Sequence, residues 1–209
     1  MPSRNATHVW PFGVLFLLFA GFATVGPFLV LFYQRLGFSG TQIGALAGIS
    51  PLVTFAIVPL WMRFADTTHR HRLLMGIAFL GAAAVVAGFP FLTTFASVIV
   101  CSVLLTGFIA PLMPFADNSA MHMLGDRKHR YGRVRIGGTL GYGIAAALAG
   151  LLVERFGLFS AFWACSGLFT LAFLLSLRLT TSTQTRDRQD AVVETCGGCL
   201  GSPSGSRSW

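Results

Sequence analysis

Charge is scarce in this sequence, and negative charge is scarcest. Of 209 residues 11% are charged and only seven are Asp or Glu, while 54% are hydrophobic. A water-soluble fold of this length could not hide so much apolar surface behind so thin a polar coat, which excludes an ordinary soluble domain. Chemistry-bearing clusters are scarce as well. Cys101 and Cys165 lie inside apolar runs and read as small packing side chains. Cys196 and Cys199 form a single Cys-x-x-Cys with no second pair and no strand-helix context, so no metal or redox site is assigned to them. His69, His71, His122 and His129 fall in or near polar connections without ligand or catalytic spacing. The chain is therefore read as neither an enzyme nor a metal or cofactor protein.

The net charge of +8 raises the question of nucleic acid, but the basic residues sit in connections between apolar runs and form no basic face interleaved with aromatics. Positive loops at a membrane surface explain the same excess, and no nucleic-acid partner is expected.

What the sequence does have is long uncharged runs. Val9–Tyr33 carries no charge and is long enough to cross a bilayer with some tilt; a cleaved signal peptide would have a shorter apolar core, so it is read as a retained helix. Ile43–Met62 follows, and the segment Arg63–Arg72 (RFADTTHRHR) reads as a loop in water. Leu73–Ala116 is too long for one crossing, so two helices must meet at an uncharged turn marked by Gly88, Pro90, Thr93 and Thr94. The polar stretch DRKHRYGR (126–133) leads to a fifth run, Ile136–Val153, and a sixth, Leu158–Leu177. The expectation is an all-α membrane protein: residues 1–8 as a cytoplasmic N-terminus, residues 9–179 as a six-helix domain with spans at about 9–33, 43–62, 73–89, 95–124, 134–153 and 158–177, and residues 180–209 as a polar, disordered tail.

Alternate connections differ in basic content. One side holds Arg4, the three arginines of the second connection, the five basic residues from Arg127 to Arg135 and the tail; the other holds only Arg35 and Arg155. By the positive-inside rule both termini are cytoplasmic, in a cell inner membrane, which leaves the Asn5-Ala6-Thr7 sequon on the wrong side for glycosylation.

Asp117 is the one acid embedded in a hydrophobic run. A carboxylate there is costly and is a functional-site hypothesis by default. Arg135 is its expected partner: Asp126 lies nine residues from each, so a hairpin turning there places both at equal depth, roughly 10 Å above its end at 1.5 Å per residue. Such a pair can offer both signs to a solute, or it can be a structural ion pair or a snorkelling arginine. Asn118 could add hydrogen bonds, although it points about 100° away around the helix. Pro111 and Pro114 precede Asp117, and Gly26-Pro27 marks a similar weak point in the first run. Two interrupted helices in corresponding positions are what a transporter repeat would show. Small residues form ridges at Gly40, Gly44 and Gly48 and at Gly137, Gly141, Ala145 and Ala149, which either pack within the bundle or await partner helices.

Two stretches, PLMPFADNSAM (111–121) and YGRVRIGGTLGYG (131–143), carry a resemblance. From about Pro11 to Leu177 the chain resembles the amino-terminal six-helix half (a 3+3 repeat) of the major facilitator superfamily, in the branch of lactose permease, the phenylpropionate permease and nucleoside:proton symporters. The resemblance implies that Asp117 is the substrate-binding acid, Arg135 its partner, and Tyr142 an aromatic on which a solute ring stacks. MRFADTTHRHR (62–72) is similar to the superfamily's loop G-x-x-x-D-[RK]-x-G-[RK]-[RK]: Asp66 and Arg70 match as gating residues, whereas Met62, Thr67 and His69 depart. Family members have about twelve helices, and the second and fifth face the opposite half, so the small-residue ridges look like an interface whose partner is missing; the tail past Leu177 resembles no part of the family. The implied function is half of a secondary transporter for proton-coupled symport of a small polar or aromatic solute, paired with a second six-helix half or with its own copy, or truncated and inactive alone. The alternative is a non-transporting membrane fragment or assembly partner.

Overall fold

A computed structural model describes residues 6–68, 71–124 and 131–177. In lipid an unpaired backbone amide or carbonyl has no water to turn to, so a spanning segment closes its hydrogen bonds internally. Among the described residues the secondary structure is entirely helical: α1 (Ala6–Arg35), α2 (Gly40–Thr68), α3 (His71–Gly88), α4 (Phe95–Ile109), α5 (Leu112–Leu124), α6 (Tyr131–Phe156) and α7 (Phe159–Leu177). Six stretches are long and apolar enough to cross a bilayer, with α4 and α5 together forming the fourth, Phe95–Met121. The chain is an integral membrane protein built as a six-span helical bundle.

The tight connections follow from local chemistry. Gly37, at φ +79°, closes α1 with bonds from its own amide to the Gln34 carbonyl and from the Phe38 amide to the Tyr33 carbonyl, and glycine accepts that left-handed backbone without a Cβ penalty. Two residues on, Ser39 and Gln42 cap α2 reciprocally: the Ser39 amide donates to Gln42 Oε1 at 2.9 Å and the Gln42 amide to Ser39 Oγ at 3.4 Å. Gly157, at φ +84°, turns the chain between α6 and α7 with its amide on the Val153 carbonyl at 2.9 Å. α3 gives way at Gly88 to a single 3-10 turn, Phe89–Phe91, with Pro90 near its start.

α1 is the axis of the bundle, packed against α5, α6 and α7. Glycine lets these helices close up: a Cβ on Gly141 of α6 would strike the backbone of Phe16, and one on Gly21 of α1 would strike the ring of Phe169 on α7. Phe79, Phe89, Phe115, Phe162 and Phe169 fill the interior, and the rings of Phe32, Phe89 and Phe162 meet edge-on or stacked at 5.2–6.1 Å. A buried hydrogen bond of 3.1 Å between the hydroxyls of Tyr33 and Ser102 ties α1 to α4.

Three expectations are corrected. The segment 63–72 is no simple loop: α2 continues as a charged helix through Thr68, where the Thr67 and Thr68 hydroxyls donate back to carbonyls of Arg63 and Phe64, and α3 begins at His71. α1 runs unbroken past Gly26-Pro27, because the missing proline amide costs one bond in a helix held by tertiary contacts along its length. The two small-residue ridges also part company. Gly137 and Gly141 pack on Phe12 and Phe16 of α1, whereas at Gly40, Gly44 and Gly48 a Cβ would meet nothing within 4 Å. Only the α2 ridge is an open face, and Phe55 beside it is 85% exposed.

Candidate functional site

The fourth span is broken where prolines demand it. Ala110 and Pro111 form a turn between α4 and α5; Pro111 has no amide for the Gly107 carbonyl and Pro114 none for the Ala110 carbonyl. The helix resumes with the Phe115 amide on the Pro111 carbonyl at 3.1 Å. The two pieces pack differently, α4 on α2 and α3, α5 chiefly on α1. Trp61 of α2 bridges the break, its ring centroid 6.4 Å from both Phe108 and Phe115. α5 carries Asp117 beside the first turns of α6.

There Arg135 Nη1 lies 3.3 Å from both Oδ1 and Oδ2 of Asp117, at side-chain exposures of 46% and 34%. A third group, absent from the sequence-based candidates, completes the cluster: Tyr131 donates its hydroxyl proton to Asp117 Oδ1 at 2.7 Å and accepts from Arg135 Nη1 at 3.2 Å. Tyr131 precedes Arg135 by four residues on one helix, a spacing that puts both on one face; that periodicity was the available signal. Burial, and after it the hydrogen bond to the carboxylate, push the Tyr131 phenol above its ordinary value, so it remains a protonated donor at neutral pH. The arrangement holds two opposite charges and a hydroxyl within one hydrogen-bonded triangle, open on one side.

The other candidates are placed less tightly. Asn118 is half-buried and makes no hydrogen bond among the described residues. Tyr142 stands 43% exposed on α6, two turns from Arg135 and so about 10 Å along the axis, on the same side of the helix. Asp66 is exposed near the end of α2, and Arg70 lies outside the described residues. Among the described residues no three His, Cys, Asp or Glu side chains come together to hold a metal ion.

Residues 9–202 match the family described as MFS_1 like. The chain belongs to that family. The match to the MFS_1 like family runs past Leu177, where the sequence resemblance stopped, and so takes in much of the polar tail. Similar proteins include the maltose permease of Geobacillus stearothermophilus, 29% identical over 167 residues, which covers 79% of this chain and 41% of the permease. A multi-drug resistance efflux pump PmrA homolog of Lactococcus lactis is 29% identical over 186 residues, or 84% of this chain and 44% of the pump. The multidrug resistance protein MdtG of Proteus mirabilis is 26% identical over 182 residues, again 84% and 44%. This MFS_1 like chain therefore spans less than half the length of these relatives.

Proposed function

We propose that the chain is one half of a secondary transporter that moves a small polar or aromatic solute across the cell inner membrane by proton-coupled symport. The observation that carries the proposal is the half-exposed Asp117–Arg135 pair near the facing ends of the fourth and fifth membrane spans. An acid and a base there are expensive unless they serve a polar ligand or each other, and their exposure leaves both able to bond a solute. Asp117 and Arg135 bind the solute, Asn118 adds a polar contact, and Tyr142 offers a ring face two turns away. Asp66 at the charged end of α2 and Arg70, four residues later in the sequence, serve as the gating residues. The placement of Asp117, Arg135 and Tyr142 supports membership of the branch containing lactose permease and the nucleoside:proton symporters. The basic connections support cytoplasmic termini. Similarity to a maltose permease supports a hydroxyl-rich solute.

A second reading, a non-transporting membrane fragment or assembly partner, is favoured by the uncovered α2 ridge. Vesicles containing the full chain, loaded against a proton gradient and supplied with labelled maltose, separate the two. Gradient-dependent uptake by the parent, lost in Asp117→Asn, supports transport. Absence of uptake by the parent with maltose and with aromatic cations, under every gradient polarity, overturns it in favour of the second reading.

A further inference from the structure

The three polar groups of the site are not held equally. Arginine and carboxylate at their strongest meet through two parallel N–H···O bonds of about 2.7–2.9 Å, one from each of two guanidinium nitrogens. Here one nitrogen, Nη1, serves both carboxylate oxygens at 3.3 Å and the Tyr131 hydroxyl at 3.2 Å, so its two hydrogens are divided among three long contacts. Nη2 and Nε of Arg135 have no hydrogen-bond partner among the described residues. The short bond at the carboxylate is the 2.7 Å one from Tyr131 to Oδ1. The hydroxyl has a single proton and gives it to Asp117, which leaves its lone pairs to accept from Arg135.

We propose that Tyr131 is a positioning residue that anchors the Asp117 carboxylate and so keeps Arg135 out of a two-pronged ion pair, leaving the outer N–H groups of the guanidinium available to solute. With the phenol oxygen removed, the carboxylate loses its nearest donor, and the best one remaining is the fork of Arg135. The carboxylate turns to meet it, the two charges saturate one another, and the guanidinium is withdrawn from the open face. The three groups then act as a soft triangle whose geometry is set from the helix start, one turn away from the charge pair. The purpose assigned to this arrangement rests on the solute-binding role proposed above.

The test needs no solute, so its outcome is independent of whether transport is found. The purified full chain and Tyr131→Phe are treated with phenylglyoxal, and modification of Arg135 is followed by peptide mass spectrometry. The expected result is reaction at Arg135 slower in Tyr131→Phe by roughly fivefold, the factor one hydrogen bond of ordinary strength supplies. Adding Asp117→Asn to that variant is expected to restore the parent rate. A rate in Tyr131→Phe equal to or above the parent's overturns the proposal, as does a slowing that persists once the carboxylate is gone. Should Tyr131→Phe not fold, the chain labelled at tyrosine Cζ with carbon-13 answers the same question. Its three tyrosine signals are assigned with Tyr33→Phe and Tyr142→Phe. The Tyr131 signal is expected to move more in Asp117→Asn than in Arg135→Lys, and the reverse order overturns the proposal.

Discussion

Arg135 Nη1 sits 3.3 Å from Asp117 although the two residues are eighteen apart in the chain and belong to different helices. The pair fastens the middle of α5 to the first turns of α6. Its partial exposure makes it modest in energy: screening and side-chain entropy keep such pairs near 1 kcal/mol or below.

A double-mutant cycle measures that value. Asp117→Asn and Arg135→Gln are each expected to lower stability, and the double variant by less than their sum, with a coupling energy of about 0.5–1 kcal/mol. Thermal unfolding of the four proteins in one detergent is the measurement. Strict additivity would show that the two charges do not interact in solution.

Close approach of α1 and α6 depends on hydrogen in place of a side chain at Gly141. Gly141→Ala brings a methyl onto the Phe16 backbone, which cannot swing aside as a side chain would, and is expected to cost about 1–3 kcal/mol. Gly143→Ala, where a Cβ meets nothing within 4 Å, is the matched control and is expected to leave Tm unchanged or slightly raised. Tm values of the two variants check both expectations.

The break between α4 and α5 is expected to be a property of its prolines. Pro111→Ala with Pro114→Ala restores donors for the Gly107 and Ala110 carbonyls, and is expected to join α4 and α5 into one continuous helix and to shift Asp117 relative to Arg135. Spin labels at exposed positions 104 and 121 would report the change as an altered distance distribution, and gradient-driven uptake would fall. An unchanged distribution would mean that packing of α5 on α1, with Trp61 across the gap, imposes the break.

Alkaline pH tests the Tyr131 bond. A phenol whose folded-state value is raised favours the protonated, folded form, so its contribution is fully present below the ordinary tyrosine value of about 10 and is lost as pH rises through the higher folded value. Tm is therefore expected to fall between about pH 10 and the Tyr131 transition, and to fall less steeply in Tyr131→Phe. Thermal melts from pH 9 to 11.5 are the check; identical slopes would show that the phenol titrates no differently in the folded chain.

The sequence by itself determined the class and the number of crossings. Uncharged runs such as Val9–Tyr33 and Leu73–Ala116 admit no other environment than lipid, and in lipid only helices satisfy the backbone of a segment that is not part of a closed barrel. It also singled out Asp117 and Arg135, because a charge in an apolar run is conspicuous and the residue counts on either side of Asp126 set equal depths. It left Tyr131 unnoticed, since a tyrosine near a polar connection is unremarkable until a carboxylate lies 2.7 Å from its oxygen. The role of the glycines was equally hidden. The spacing in Gly40-Gly44-Gly48 and Gly137-Gly141 is the same, and only the position of α1 makes one a packed seam and the other a bare face. Hydropathy is a property of each segment alone, whereas the partner of a helix face, the direction of a hydroxyl and the consequence of a proline depend on neighbours brought close by the tertiary fold.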